Sequence, residues 1–335
     1  MPSVTAIGDM AYSAALRRQS ADLKATVQRL SSEVTTGLSA DPARRLSADL
    51  VPLAAIEGDL ARLKGFATAT SEAALFADAM QQGLAAIDRL AVDIAPLLLS
   101  ATSAGHEAMI RTASAEAAGR LDSAVAALNA RVGDRTLFAG TQSQGAAVAG
   151  ADTILSALDT AIAGLTTAGD IVAAVDAWFD APGGYDTLGY LGSAPGAAIA
   201  LSPDDRVALD ITAADPSIRD TLKGLAMGAL VARLAGSLPG TERSALAREA
   251  GERLMSGQTG RADLAARLGT QEGRIEVARQ RNTAETSAME LARSALLSID
   301  PYEAATRLQA AEGQLEALYT VTARLARLSL VDFLR

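Results

Sequence analysis

The side chains that could do chemistry are few and scattered. His106 is the only histidine in 335 residues and stands between Gly105 and Glu107, where a helix is expected to start. One imidazole leaves a single candidate general base and excludes a multi-histidine metal site, so an exposed or capping histidine is the expectation. Cysteine is absent, which removes disulfides, thiolate nucleophiles and thiolate metal ligands together. Lys24, Lys64 and Lys223 are the only lysines, and none follows the Gly-x-x-x-x-Gly spacing of a phosphate-cradling loop. Gly183-Gly184 and Gly189-x-x-Gly192 lack a preceding buried strand, so they do not make a dinucleotide turn. The adjacent carboxylates Asp204 and Asp205 fall in a turn and read as a solvated hairpin tip. Trp178 and Phe179 are read as core of a central insert. Phe138, in Leu137-Phe138-Ala139-Gly140, is read as an anchor at a helix end beside a glycine stop. No catalytic, cofactor-binding or metal-ligating residue is expected, and the chain is not read as an enzyme.

Composition narrows the alternatives. Hydrophobic residues make up 49% of the chain but aromatics only 3%, which suits helices that approach closely on Ala and Leu. The net charge of −9 lacks the basic face that a nucleic-acid partner requires. Charged residues are 21% of the chain, and no run reaches about 18 uninterrupted apolar residues, so no membrane insertion is expected. Residues 1–16 carry no basic start, long apolar run or cleavage-like site. Export, if it occurs, is expected to use no cleaved signal peptide.

The elements that must position everything else are helices. Leu16, Ser20, Leu23, Val27, Leu30 and Val34 step by 4-3-4-3-4 up to a stop at Gly37. Leu53, Ile56, Leu60, Leu63 and Ala67 follow Pro52, a permitted first-turn position. A further block runs through Phe76, Met80, Ile87, Leu90, Ile94 and Leu97, with Gly83 on the seam, and another through Ile110, Ser114, Ala117, Leu121, Ala124 and Leu128. The longest seam is Leu264, Leu268, Gln271, Ile275, Ala278, Asn282, Glu285, Met289, Ala292 and Leu296. Its polar positions weaken a coiled-coil pair but can fix its register. Asp300-Pro301-Tyr302-Glu303 reads as an N-cap, a first-turn proline and a carboxylate at N3, opening a last helix along Leu308, Ala311, Leu315, Leu318, Thr322 and Leu325. Between the helical halves, Thr153–Leu165 and Ile171–Phe179 read as short helices parted at Gly169. Ala197–Leu201 and Arg206–Thr212 read as a β-hairpin, and Ile218–Leu234 as helix. The fold class expected is mainly α: nested N- and C-terminal helices paired antiparallel in a coiled-coil-like bundle, with a small α+β domain inserted in the middle.

Three stretches resemble the flagellin superfamily. Leu30-Ser31-Ser32-Glu33-Val34-Thr35-Thr36-Gly37-Leu38, followed by Ala40-Asp41-Pro42, is similar to its N-terminal segment, with Glu33 where the family usually has glycine. Glu303-Ala304-Ala305-Thr306-Arg307-Leu308, Leu315-Glu316-Ala317-Leu318-Tyr319 and Ser329-Leu330-Val331-Asp332-Phe333-Leu334 resemble its C-terminal helix. Leu137-Phe138-Ala139-Gly140-Thr141-Gln142 resembles a segment of the hook–filament junction branch, where filament flagellins usually differ. The resemblance implies a division into 1–40 and 300–335 as polymerisation helices, 41–140 and 217–299 as halves of a helical rod domain, and 141–216 as the inserted outer domain. It implies an extracellular structural subunit joining hook to filament. Its partners would be further copies of itself, a hook-side junction adaptor, flagellin and a cytosolic export chaperone. A main filament flagellin, or less readily a cytosolic coiled-coil adaptor, are the rival readings.

The assembly residues expected are Leu16, Leu23, Val27, Leu30 and Val34 at one end, and Leu308, Leu315, Leu318, Tyr319, Leu325, Leu328, Leu330, Phe333 and Leu334 at the other. Two apolar stripes with no partner inside the chain would be a liability in a monomer. The terminal segments are therefore expected to be disordered in solution and to order on assembly.

Overall fold

A computed structural model describes residues 3–104 and 106–333, with side chains described for 11–103 and 106–324. The order of helices is α1 (Ser3–Thr36), α2 (Pro42–Arg45), α3 (Val51–Ala104), α4 (Glu107–Leu128), α5 (Ala151–Ala161), α6 (Ala168–Asp180), α7 (Pro216–Arg233), α8 (Gly240–Ser256), α9 (Gln258–Leu297) and α10 (Pro301–Phe333). Two small antiparallel hairpins join them, β1 (Arg131–Val132) with β2 (Arg135–Thr136) and β3 (Ile199–Ala200) with β4 (Arg206–Val207). The fold is mainly α, as the 3–4 periodicity requires. Among the described residues, no helix is long and apolar enough to cross a membrane. Contacts divide the chain into two compact units, residues 1–64 with 284–335, and residues 65–283.

In the unit formed by 65–283, α7 lies at the centre, with every residue from Thr221 to Val231 buried. It packs on α4 and α8. A Cβ on Gly228 would lie 2.9 Å from the Ala117 Cβ, and one on Gly224 2.7 Å from the Leu254 side chain. These glycines bring the helices closer than any other side chain would permit. The seam of α4 is buried at all six expected positions, Ile110, Ser114, Ala117, Leu121, Ala124 and Leu128. Its one polar member is satisfied, since the Ser114 hydroxyl donates to the Gly228 carbonyl (2.6 Å) and accepts from the Ala232 N–H (2.8 Å). The π-helical turn Tyr185–Gly189 and helices α5 and α6 share the same core. There Trp178, Phe179 and Tyr185 cluster, with Phe179 and Tyr185 stacked at 5.2 Å.

The seam of α9 is buried or half-buried from Leu264 through Asn282; Glu285 and Ala292 are exposed and Met289 and Leu296 half-buried. Asn282 is 2% exposed and donates to the Leu201 carbonyl (3.1 Å) and the Thr70 hydroxyl (3.3 Å), so this polar position ties the β3–β4 hairpin to α9 and α3. In the other unit, α1 and α10 pack together, and Arg293 of α9 reaches Glu57 of α3 at 3.6 Å.

Several expectations are corrected. The two blocks 53–67 and 76–97 form one helix, α3, which continues past Pro96; Ala67 and Leu97 face solvent while Phe66, Thr70 and Leu98 turn inward. Gly169 lies inside α6, and the break between α5 and α6 falls instead near Gly164, whose φ of +81° suits glycine alone. The β3–β4 pairing spans only two residues per strand, because the chain after Val207 leaves the ladder. Phe138 is not at a helix end: the β1–β2 hairpin, turning at Gly133 (φ +57°), separates it from α4. Helix α8 was not anticipated. His106, by contrast, stands where expected, exposed at the N-cap position of α4, without a capping side-chain bond.

Gly228→Val is expected to destabilise the protein by about 1–3 kcal/mol, because the added atoms overlap Ala117 and Leu98 in a packed core. Urea unfolding checks this, with Gly119→Ala, where a Cβ meets nothing within 4 Å, as the control expected to be neutral or stabilising.

Candidate assembly interface

Helices α1 and α10 run antiparallel. The Leu38–Ser298 bridge joins the C-terminal end of α1 to the residues just before α10, through Ser39 N–H to Leu297 C=O (2.9 Å) and Ile299 N–H to Gly37 C=O (3.1 Å). Further along, Lys24 of α1 lies 5.6 Å above the Tyr319 ring of α10. Bonds from Lys24 and Ser20 favour the phenolate, and hold the Tyr319 phenol below its ordinary pKa.

The terminal stripes thus have a partner inside the chain, contrary to the expectation that they had none: each faces the other. A two-helix layer covers only one strip of each helix, however. Leu30 and Leu318 are buried, with Ala304 and Ala311, while Leu16, Leu23, Val27, Val34, Leu308 and Leu315 are half-buried. Tyr319 (47% exposed) and Val321 (45% exposed) face solvent beside them, as does Tyr302 at the start of α10. The side chains of Leu325, Leu328, Leu330, Phe333 and Leu334 lie outside the described residues.

Gly37, with φ +69°, ends α1 as its position requires. Glu33 stands one turn earlier and is 6% exposed. Its carboxylate accepts the Ala40 N–H (3.1 Å) and pairs with Arg29 (3.1 Å), closing the turn after α1. Asp41 then caps α2 through the Arg44 N–H (3.1 Å), with Pro42 as its first residue. Asp300 caps α10 through the N–H groups of Tyr302 (2.8 Å) and Glu303 (3.4 Å), the arrangement expected from Asp-Pro-Tyr-Glu.

The segment Leu137-Phe138-Ala139-Gly140 lies in the other unit and is bonded along its backbone to two distant stretches. The Phe138 carbonyl accepts from Ala213 N–H (2.9 Å), the Ala139 carbonyl from Ser193 N–H (3.0 Å), and Thr141 N–H donates to Ala194 C=O (2.9 Å). Phe138 is fully buried, and its ring fills the space left by Gly83: a Cβ there would sit 3.0 Å from ring carbon Cε2. Gly140 has φ +65°, and a Cβ on it would meet the Ser193 and Ala194 carbonyl oxygens at 2.4 Å. Leu137 is partly buried and Ala139 fully buried. The segment is a clamp on the loop at 193–194. Sequence reasoning missed its partners; the glycine at Gly192, whose Cβ would meet the Ala139 carbonyl at 2.5 Å, is a sequence feature that this close approach explains.

Among the described residues, no group of three His, Cys, Asp or Glu side chains could hold a metal. What these surfaces offer is apolar area and backbone complementarity.

Residues 258–334 match the family model for the bacterial flagellin C-terminal helical region. No curated protein matches the sequence. Among solved structures, the chain resembles FlgL of Bacillus cereus (TM-score 0.51, 12% identity), over 70% of this chain and 96% of that one. It also aligns with a putative flagellar hook-associated protein from Vibrio parahaemolyticus (TM-score 0.48, 9% identity), over 73% of this chain and 95% of that one. At these identities the likeness to FlgL is one of fold.

Gly140→Ala is expected to cost about 2–4 kcal/mol in urea unfolding, from the positive φ together with overlap on two carbonyls. Gly145→Ala, where a Cβ meets nothing, is expected to stay within about 0.5 kcal/mol.

Proposed function

We propose, for a flagellin-type structural chain whose residues 258–334 are a flagellin C-terminal helical region, that it is a subunit of the bacterial flagellum placed where hook meets filament, and that it assembles through its terminal helices. The observation that carries the reading is the half-covered α1–α10 pair. Fully burying a Leu or Val contributes about 1.5–3 kcal/mol, and roughly half of that remains unrealised at each of Leu16, Leu23, Val27, Val34, Leu308 and Leu315. Neighbouring subunits packed on this layer recover it, and several neighbours offset the ordering of the termini where one would not. The apolar sequence Leu325, Leu328, Leu330, Phe333 and Leu334 extends the same stripe.

The Leu137–Gly140 segment supports the junction branch over a main filament subunit. On this reading the chain is exported unfolded, with a cytosolic chaperone covering the C-terminal stripe, and then bridges a hook-side adaptor below to flagellin above. The 141–216 segment faces outward as the inserted domain, and the segments 1–40 and 300–335 line the assembly.

Immunogold labelling of isolated hook–filament complexes tests the placement. Gold in a narrow band at the junction is expected; gold along the whole filament would make the chain a flagellin, and unlabelled intact junctions would favour a cytosolic coiled-coil adaptor. Deleting Leu328–Arg335 is expected to abolish assembly and motility, and normal motility after that deletion would refute the packing argument. Limited proteolysis of the free subunit is expected to remove residues 1–38 and 302–335 before cutting elsewhere. Survival of both segments would show that they order without assembly.

A further inference from the structure

Beyond the second hairpin, residues Ala208–Ile211 leave the ladder and face α9 across a cavity of about 340 Å³. That is the lower end of ligand-sized clefts. The whole site lies within the unit 65–283. Its floor is apolar, with Leu268 buried beneath it. Its walls hold three guanidinium groups, Arg206, Arg267 and Arg274, against one lining carboxylate, Asp210. Asp205 and Asp215 also pair with these arginines from beside the cleft, so Arg206 is the cation left without a carboxylate.

Two of the three cations are under-used. Arg206 is exposed, and among the described residues its side chain forms no hydrogen bond or ion pair; its carbonyl is engaged by Arg274 at 2.9 Å. Arg267 reaches Asp210 and Asp215 at 3.5 Å, the outer limit of a contact. Arg274 is held by Asp205 at 2.8 Å. Gln271, a polar interruption in the α9 seam, accepts from Arg274 at 3.4 Å and lines the cleft. The backbone beside them is equally unspent. The N–H and C=O groups of Ala208, Leu209 and Asp210 form no hydrogen bond with the described residues, while Ile211 beyond them is buried. Unpaired backbone beside a short ladder, whose alternate residues face the same edge, is a template for strand addition.

We propose that this cleft docks an extended acidic peptide segment of a partner protein, which adds as a short strand along Ala208–Asp210 and places its carboxylates on Arg206 and Arg267. A free anion would satisfy the arginines but leave the backbone edge open; a strand with carboxylates on alternate residues satisfies both, since alternate side chains point to one face. The proposal does not depend on where the chain assembles.

The test is fluorescence anisotropy of a labelled, end-blocked hexapeptide of alternating Glu and Val, titrated with the full chain. Saturable binding that weakens with added salt is expected. Arg206→Glu is expected to weaken it about tenfold, and Asp210→Ala to tighten it, because one reverses a cleft cation and the other removes the competing carboxylate. Circular dichroism and the melting temperature should be unchanged in Arg206→Glu, whose parent side chain is exposed and unbonded. The alternating Lys and Val peptide should not bind, and the Glu and Val peptide with N-methylated backbone should lose most of its affinity. Absence of binding, binding indifferent to Arg206→Glu, or equal binding of the N-methylated peptide would each overturn the proposal, the last by showing an anion site without strand addition.

Discussion

Helix α7 has no face left for solvent over most of its length. From Thr221 to Val231 every side chain is buried, and the helices around it come close enough that Gly224 and Gly228 cannot carry a side chain without displacing Leu254 or Ala117. Close approach of this kind replaces the aromatic area that the chain lacks with many short contacts between Ala, Gly and Leu, and such packing tolerates little change in volume. The same logic recurs where Gly251 of α8 lets the backbone of α3 approach at Ala95 and where Gly83 admits the Phe138 ring. The unit 65–283 is therefore built around glycines that sit in helices against their intrinsic propensity, a cost near 1 kcal/mol each that the packing must exceed.

Burial on that scale strands polar groups, and each is met individually. Lys223 is 3% exposed in the middle of α7, and its ammonium is answered by Asp180 (2.6 Å), Asp220 (3.1 Å) and Asp176 (3.7 Å). Asp176 also binds Arg253 (2.5 Å), so α6, α7 and α8 share one charge cluster at their edge. Arg261, 7% exposed, pairs with Asp88 at 2.7 Å, and Arg243 pairs with Glu107. Losing one member of such a cluster leaves the others desolvated and unpaired, so these pairs specify which helix faces which more than they add net stability. Burial also drives the Tyr185 phenol far above its ordinary pKa, while its hydroxyl donates to the Ala213 carbonyl at 2.9 Å. It stays a neutral donor and holds the π-helical turn to the start of α7.

The unit of 1–64 and 284–335 is organised differently. Its helices pair in a thin layer, and a thin layer leaves apolar residues half in water, which is the condition under which further copies add stability. The turn after α1 is meanwhile fixed by specific bonds from Glu33, Ser39 and Gly37, and the strained backbone of Ser47 (φ 52°) and Ala48 (φ 67°) follows at the approach to α3. Rigid turns and an incompletely buried layer together suit a subunit whose contacts are completed by its neighbours.

Much of this was legible in the amino-acid order. Helix periodicity, the stop at Gly37, the cap at Asp300 and the buried seam of α4 all follow from local rules, because spacing, capping and left-handed glycine act within a few residues of themselves. The resemblance of the C-terminal stretch was legible for the same reason. Tertiary structure alone decided that α3 runs unbroken through Pro96, since packing outweighed the local penalty of proline. It decided that Asn282 is a buried bridge rather than a weak point in a seam, because Thr70 and Leu201 lie far from it in the chain. It paired Leu137-Phe138-Ala139-Gly140 with Ser193, Ala194 and Ala213, and set the unpaired backbone of 208–210 opposite the arginines of α9. Those partners are separated by some fifty to eighty residues, and no local spacing rule reaches that far.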